Sequence, residues 1–300
     1  MENVSFLRLD RDTKKEYDAI LIRILRKIKA ICDENGIKWF LAYGSCLGAV
    51  RHKGIIPWDD DIDICMPRPD YDRFIEICRN SDMDGIELCM TDTTPGHFEY
   101  FARIADKNTT LLFSMNRPFV TGVYIDIFPL DGAGDGNISK NYDIFMFWQR
   151  IHHFSHSYFR GKTIRRWLES GKILHCMLAL ATSVLRKPFQ KLSLNRINKI
   201  VRKYSFEKSD FIVFYIHVYY MKNVIKKSWI EETIMVPFQD MLAPIPKEYD
   251  AYLTHLYGNY MTPPPDNKKD DRHIVKFIDL NERLTLEEIK ERLKGQPRRV

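Results

Sequence analysis

Apolar positions recur at helical spacing near the start of the chain and then give way to shorter runs. Ile20, Ile24 and Ile28 share one helical face, while lysines and arginines occupy the other. This pattern predicts a helix over residues 11–35, which an Asn-Gly pair brings to an end. Residues 38–43 are apolar and aromatic with glycine on both sides, which is typical of a short buried strand.

Shorter segments of both kinds follow this first strand. Residues 46–51 predict a short helix, and residues 61–66 alternate like a strand that stops at a proline. A further strand is predicted at residues 122–128, again just before a proline. Because helices and strands alternate along this stretch, we predict an α/β (α+β) fold.

The pattern changes near residue 137, where a long helical stretch rich in basic and aromatic residues begins. We therefore expect two parts, a catalytic α/β core over residues 1–135 and a helical, basic region over residues 136–300. Within the second part, residues 173–185 form an apolar run of 13 residues flanked by lysines and arginines. The run is too short to span a bilayer. We favour a helix buried in the core, and the alternative is an interfacial helix on a membrane surface.

Composition and charge narrow the class of protein. A hydrophobic content of 45% excludes a disordered chain, and the six cysteines form no CxxC pair, which argues against a zinc ribbon or a dense disulfide framework. With no secretory leader apparent, we expect a cytoplasmic protein. The net charge of +6 hides an asymmetry, because residues 137–230 hold 18 Lys and Arg against four Asp and Glu. We expect this basic region to face an anionic partner or a membrane, with peripheral association at the inner face of the membrane.

A run of acidic residues carries the clearest chemical signal. Asp59 precedes Asp61 and Asp63, and the last two alternate with isoleucines that would anchor a strand in the core. On a strand, both carboxylates would project to one face about 7 Å apart, where like charges repel unless a cation lies between them. Oxygen ligands without nearby His or Cys favour Mg²⁺ or Mn²⁺ over zinc.

Two other interpretations of this run fit the sequence less well. An EF-hand loop would need glycine at its sixth position and glutamate at its twelfth, where this chain has Ile64 and Asp70, so that interpretation fails. A solvated acidic turn is disfavoured because Trp58 and the two isoleucines interrupt the polar residues.

Further residues would complete such a site. Asp126 is the only acid in an apolar strand, and burying its charge costs free energy unless it binds metal or forms a salt bridge. The sequence is compatible with both roles. We expect Gly44 and Ser45 to form a strand-to-helix turn whose backbone N–H groups approach a phosphate. Arg51 and Lys53 would neutralise a diphosphate on the same side.

The segment AYGSCLGAVRHKGIIPWDDDIDICMPRPDY, together with GVYIDIFPLDG and the later VPFQDMLAPIPKEYDAYLTHLYGNYMTPPPD, resembles the LicD family, which also includes fukutin and fukutin-related protein. The resemblance implies a nucleotidyltransferase-like mixed sheet. It assigns Gly44 and Ser45 to the phosphate turn, Asp61 and Asp63 to the paired metal ligands, and Asp126 to the third acid. It places an additional acid at Asp59 and implies that the last matching segment packs back on the core.

The same resemblance implies an activity. Family members transfer a phospho-alcohol, often phosphocholine from CDP-choline, to a sugar of a surface glycan such as lipopolysaccharide or teichoic acid. We therefore expect a metal-dependent phosphotransferase with a CDP-linked donor and a glycan acceptor, which a lipid carrier would hold at the membrane. The alternatives are a nucleotidyl- or sugar-phosphate transferase with another donor, and a non-catalytic protein that binds membrane or glycan. No recognition motif for nucleic acid is present, so we expect no nucleic-acid partner.

Overall fold

A computed structural model describes residues 10–134, 138–159, 161–216, 218–265 and 275–295. The α-helices are α1 (Arg11–Asn35), α2 (Tyr43–His52), α3 (Arg68–Asn80), α4 (Ile138–His156), α5 (Gly161–Glu169), α6 (Ile173–Val184), α7 (Arg186–Val201), α8 (Tyr249–Tyr257) and α9 (Leu286–Gly295). The strands are β1 (Phe40–Leu41), β2 (Asp63–Pro67), β3 (Ile86–Cys89), β4 (Ala102–Asp106), β5 (Thr110–Leu112), β6 (Val120–Thr121), β7 (Tyr124–Gly132), β8 (Phe211–Val213), β9 (Val224–Lys226), β10 (Thr233–Phe238), β11 (Met241–Pro246) and β12 (Phe277–Asp279).

The main sheet runs in the order β1-β2-β7-β4-β3, and β8 and β9 extend it from the end of β7. Strands β2 and β7 are parallel, whereas β1 on β2 and β4 on β7 are antiparallel. The sheet is therefore mixed, and with helices packed on it the predicted α/β fold is confirmed. The parallel pair lies at the centre of the sheet, so residues at the starts of β2 and β7 are neighbours.

Helix α1 shows why the first apolar pattern was informative. Its face of Leu21, Leu25 and Ile28 is fully buried. Asp10 caps the amino end by accepting hydrogen bonds from two backbone N–H groups, and Gly36 ends the helix in the left-handed conformation. The predicted strand over residues 38–43 is shorter than expected, because only Phe40–Leu41 pair with β2 and the chain turns into α2 at Tyr43.

The basic second part begins as a group of helices. Helix α4 packs along α7, and α6 contacts α4, α5 and α7. The chain then returns to the main sheet through β8, which pairs with the last residues of β7. Residues 135–137, where we expect the boundary between the two parts, lie outside the described residues, so the division stays a prediction.

The favoured interpretation of residues 173–185 as a core helix is wrong. These residues form α6, but only Ala179 and Thr182 are buried within it. Leu174, Met177 and Leu180 lie in solvent. The reason is geometric, because the buried residues of α6 lie on one side of the helix, whereas its large apolar side chains lie on another side. Across the described part of the chain, no helix combines the length and hydropathy needed to cross a membrane.

The last part of the chain returns to the amino-terminal core. Strands β10 and β11 form an antiparallel hairpin, and α8 packs against α2. The hydroxyl of Tyr252 on α8 accepts a hydrogen bond from the backbone N–H of Tyr43 at 3.2 Å. Strand β12 pairs with β5 in a small separate sheet, which α9 covers with Ile289. Helix α8 therefore supports the start of α2.

Candidate active site

The connection from β1 to α2 positions the predicted phosphate turn. Ala42 is extended, Tyr43 takes a left-handed backbone conformation with φ of 45°, and the helix begins at Tyr43. Gly44 and Ser45 therefore lie in the first helical turn rather than in a loop ahead of a helix at residue 46. A non-glycine residue with positive φ is uncommon and is held in place by its surroundings. Here the ring of Tyr43 stacks on Tyr219 at 6.0 Å.

Gly44 and Ser45 each contact one member of the acidic run. The hydroxyl of Ser45 accepts a hydrogen bond from the backbone N–H of Asp63 at 2.8 Å, which fixes the start of β2 against α2. A Cβ atom on Gly44 would lie 2.8 Å from a carboxylate oxygen of Asp59. Any larger residue would displace that carboxylate, so glycine allows the close approach.

Strand register brings together two of the three predicted acids. Asp63 on β2 lies directly opposite Asp126 on the parallel strand β7. The two residues are 63 positions apart in the sequence, and that spacing alone does not show that they are neighbours. Asp61, by contrast, lies just before β2, because the strand begins at Asp63 and not at residue 61 as predicted. Contrary to the expectation, Asp61 does not belong to the strand, although its carboxylate stays close enough to act on the pKa of Asp63. The sheet pairs Asp63 with Asp126.

Asp59, Asp60 and Asp61 form a second group of carboxylates next to this pair. One oxygen from each lies within 4.8 Å of the others, and all three residues are half-buried. They occupy the loop that enters β2, which we call the acidic loop (Asp59, Asp60 and Asp61). They converge through a turn of the chain rather than through strand alternation. Asp60 was not singled out from the sequence, although it lies between two predicted ligands.

The electrostatic consequence is clearest at Asp63. Burial raises the pKa of its carboxyl well above the usual range, and the nearby carboxylates of Asp61, Asp126 and Asp59 raise it further. The guanidinium of Arg103 acts in the opposite direction. A site with this excess of negative charge is one that a cation would stabilise.

Arg103 is the residue that sequence reasoning missed. It lies opposite Asp126 on the antiparallel strand β4 and donates from Nε to a carboxylate oxygen of Asp126 at 2.7 Å. Its guanidinium also lies over the ring of Tyr124, 4.2 Å from the centroid. The salt bridge considered as the alternative role of Asp126 thus exists, and the same carboxylate also neighbours Asp63. A single arginine in the buried strand Ala102–Asp106 was the available signal.

The two predicted phosphate-binding cations lie at the other end of α2. Arg51 donates to the backbone carbonyl of Tyr260 at 2.6 Å and lies over the ring of Trp58, the residue before Asp59. Lys53 follows the last turn of α2, has left-handed backbone geometry and is exposed. Arg51 is seven positions after Gly44, which is about 10 Å along a helix. Arg51 is thus linked to the acidic loop through Trp58.

The donor atoms present fit a hard divalent cation. Carboxylate oxygens of Asp59, Asp60 and Asp61 lie within 4.8 Å of one another, and the pair of Asp63 and Asp126 adjoins them. Mg²⁺ and Mn²⁺ prefer such ligands. The raised pKa of Asp63 shows that these carboxylates are crowded enough for a cation to relieve their repulsion.

Comparison with known proteins finds a family domain within the chain. Residues 36–169 match the family model described as "LicD/FKTN/FKRP, nucleotidyltransferase domain". The chain is 27% identical over 266 residues to the lipopolysaccharide cholinephosphotransferase LicD of Haemophilus influenzae, covering 87% of this chain and 96% of that protein. It is 28% identical over 122 residues to mannosyltransferase regulator 4 of Saccharomyces cerevisiae, which covers 38% of this chain and 10% of that protein. An uncharacterized Rickettsia prowazekii protein, RP689, is 28% identical over 111 residues, or 27% of this chain and 42% of that protein.

The matched domain and the similarity to a cholinephosphotransferase support an enzyme of the phosphotransferase class. Within that class, residues 36–169 match the LicD family, and most of the chain is similar to the Haemophilus influenzae member.

Proposed function

We propose that this protein transfers phosphocholine, or a related phospho-alcohol, from a CDP-linked donor to a sugar hydroxyl of a cell-surface glycan, with lipopolysaccharide as the first acceptor to test. The observation that supports the proposal most is the pairing of Asp63 with Asp126 beside the acidic loop. The similarity to the Haemophilus influenzae cholinephosphotransferase over nearly its whole length supports the choice of substrate.

The proposal includes a divalent cation. Asp61, Asp63 and Asp126 would hold Mg²⁺ or Mn²⁺, with Asp59 contributing directly or through water, and Asp60 lies within reach of the same region. When bound, the cation supplies charge neutralisation for a diphosphate and raises the reactivity of the phosphorus that the acceptor attacks.

The residues of the chain have separate roles in this proposal. The first turn of α2 offers backbone N–H groups at Gly44 and Ser45 to a phosphate of the donor. Arg51 supplies positive charge two helical turns away, beside Trp58, and Lys53 adds an exposed cation at the surface. Arg103 holds the Asp126 carboxylate in one orientation. These groups position the diphosphate, which is the main requirement of phosphoryl transfer.

The reaction itself is a substitution at phosphorus. A sugar hydroxyl of the acceptor forms a new P–O bond to the distal phosphorus, the bond to CMP breaks, and CMP leaves with the electron pair. The hydroxyl proton passes to a carboxylate of the site, for which Asp126 is the candidate suggested by the sequence. The product is a phosphodiester between the alcohol and the sugar.

The test is a transfer assay with purified lipopolysaccharide, CDP-choline and Mn²⁺, in which CMP release and choline incorporation are measured together. The double variant Asp61→Ala with Asp63→Ala should abolish both signals. The matched control is Asp33→Ala with Asp82→Ala, which removes two exposed carboxylates paired with surface lysines. If the first variant kept full activity, the assignment of the site would be wrong.

A donor screen separates the main proposal from its alternative within the same reaction class. CDP-linked ribitol, glycerol and ethanolamine should be compared with CDP-choline at equal concentration. Nucleoside diphosphate sugars should be included, because the domain description refers to nucleotidyl transfer. Turnover only with the latter would replace the proposal with a sugar-phosphate or nucleotidyl transferase. Donor binding without turnover, for every acceptor offered, would indicate a non-catalytic protein.

A further inference from the structure

Helix α6 presents an apolar face to solvent. Leu174 is 75% exposed, Leu180 is 68% exposed and Met177 is 63% exposed, and Ile173 and Val184 are exposed to a similar degree. At 100° per residue these five positions fall within a sector of roughly 120°, so they form one continuous stripe along the helix. Isolated exposed apolar residues are ordinary, but a whole helix face of them indicates an interaction surface.

The other side of α6 is anchored in the protein. Ala179 and Thr182 are buried, and the helix contacts α4, α5 and α7. The backbone of α6 is thus held by packing on one side while the apolar stripe faces outward. Leu168 on α5 is also more than half exposed and extends the apolar surface toward the preceding helix.

Positively charged residues flank the apolar stripe in the sequence. Residues 161–191 contain seven Lys and Arg and a single acid, Glu169, which pairs with Arg165 at 2.8 Å. Lys172 directly precedes α6, and Arg186 and Lys187 begin α7 directly after it. Lys172 and Lys187 are exposed, whereas Arg186 is half-buried with its guanidinium over the ring of Tyr158 at 3.9 Å. An apolar helix face between exposed cations has the pattern of an interfacial helix.

We propose that α6 and the exposed cations at its two ends dock this protein on the surface of a bilayer that contains anionic lipids. The leucine, methionine and valine side chains would enter the boundary between headgroups and acyl chains, and the lysines would contact anionic headgroups. The helix has 12 residues, about 18 Å, so it lies in the plane of the interface rather than across the membrane.

Charge favours a bilayer over a second copy of the chain as the occupant of this face. A symmetric dimer through α6 would bring the two cationic segments 161–191 together with only one acid in each, Glu169, to neutralise seven Lys and Arg. A soluble anionic glycan would satisfy the lysines but would leave the leucines in water. An anionic bilayer matches both properties of the surface at once.

Vesicle co-sedimentation of the full chain tests the proposal. Wild type should be retained by vesicles of phosphatidylcholine with phosphatidylglycerol, at least tenfold more than by phosphatidylcholine alone, and high salt should reduce retention because it screens the headgroup charge. The triple variant Leu174→Gln, Met177→Gln and Leu180→Gln should lose at least tenfold in retention. The double variant Lys172→Gln with Lys187→Gln should also lose at least tenfold in retention. Each position is exposed, and circular dichroism verifies that the fold is kept.

The matched control is Met235→Gln with Leu242→Gln, which removes two comparably exposed apolar side chains from the β10–β11 hairpin. This control should bind vesicles like wild type. The proposal is overturned if wild type does not bind anionic vesicles, or if the α6 variant binds as well as the control. It is also overturned if light scattering shows a dimer that the α6 substitutions dissociate. These readouts do not involve transfer activity, so they stand apart from the proposed function.

Discussion

Arg103 and Asp126 stand opposite each other on the antiparallel strands β4 and β7, and an ion pair of 2.7 Å joins their side chains. On its other side, Asp126 neighbours Asp63 across the parallel pairing of β2 and β7. The three side chains form a row across the sheet in which one cation faces two acids. The row therefore contains one more acidic group than basic groups, and it adjoins the acidic loop.

Replacement of Arg103 by Gln should destabilise the fold strongly. Both partners are largely buried, so the substitution removes the guanidinium that pairs with the Asp126 carboxylate next to Asp63. We expect a loss of about 3–5 kcal/mol in the free energy of unfolding, measured by urea denaturation. The double variant Arg103→Gln with Asp126→Asn should recover a large part of this loss, because the uncompensated charge is gone.

The exposed ion pair of Arg202 with Asp72 provides the comparison. It is bidentate at 2.6 and 2.7 Å, yet both side chains are more than 40% exposed. Arg202→Gln should change the free energy of unfolding by no more than about 1 kcal/mol. If Arg103→Gln cost no more than Arg202→Gln, the Arg103 pair would have no special importance for the site.

Gly44→Ala separates activity from stability. Alanine is favoured over glycine within a helix by up to about 1 kcal/mol, so the free energy of unfolding should stay level or rise slightly. The new Cβ would lie 2.8 Å from an oxygen of Asp59, and this flexible side chain would move away. Transfer activity should therefore fall at least tenfold while the thermal midpoint is kept. Gly161→Ala at the start of α5, where a Cβ atom meets no neighbour within 4 Å, should change neither.

The sequence was informative where local patterns decide the structure. Helix α1 follows its apolar spacing and glycine stop, and Asp63 with Asp126 stood out as acids in apolar strands. The start of α2 was misjudged because Tyr43 adopts positive φ, which tertiary contacts with Tyr219 and Tyr252 support and local propensity disfavours.

Other features depend on strand register and on packing partners, which a single sequence does not contain. The pairing of Arg103 with Asp126 needs β4 to lie beside β7 in one register, and no sequence spacing encodes that arrangement. The surface position of α6 depends on which neighbours cover its opposite side, since an apolar run of this length suits a core helix equally well. Both are results of tertiary structure rather than of local pattern.

The buried histidines predict how stability changes with pH. Burial lowers the pKa of His97 to about 3, and the nearby Arg103 lowers it further, while burial also lowers the pKa of His152 to about 3. Both rings are neutral in the fold, but in the unfolded chain a histidine gains a proton below about pH 6.5. Acidification therefore favours unfolding, and stability is lost progressively as the pH falls from about 6.5 toward 3.

The measurement is the free energy of unfolding at several pH values between about 6.5 and 5, where His97 contributes up to about 2 kcal/mol of the loss. His97→Asn should reduce the slope of stability against pH, even though lost packing against Phe119 lowers stability overall. The same substitution at the exposed His175 is the matched control. An unchanged slope in His97→Asn would mean that this ring is not held neutral in the fold.

Proton release on cation binding tests the acidic site without any substrate. The pKa of Asp63 is raised by burial and by Asp61, Asp126 and Asp59, so in the absence of a cation its carboxyl holds a proton at higher pH than an ordinary aspartate. A bound Mn²⁺ requires the carboxylate, so binding must release that proton and the apparent affinity must rise with pH.

Titration calorimetry in two buffers of different ionisation enthalpy measures the number of protons released. Asp63→Asn should eliminate the release and weaken binding at least tenfold, whereas Asp33→Asn on the far exposed surface of α1 should alter neither. Binding of Mn²⁺ with the same proton release in Asp63→Asn would place the cation away from the β2–β7 pair.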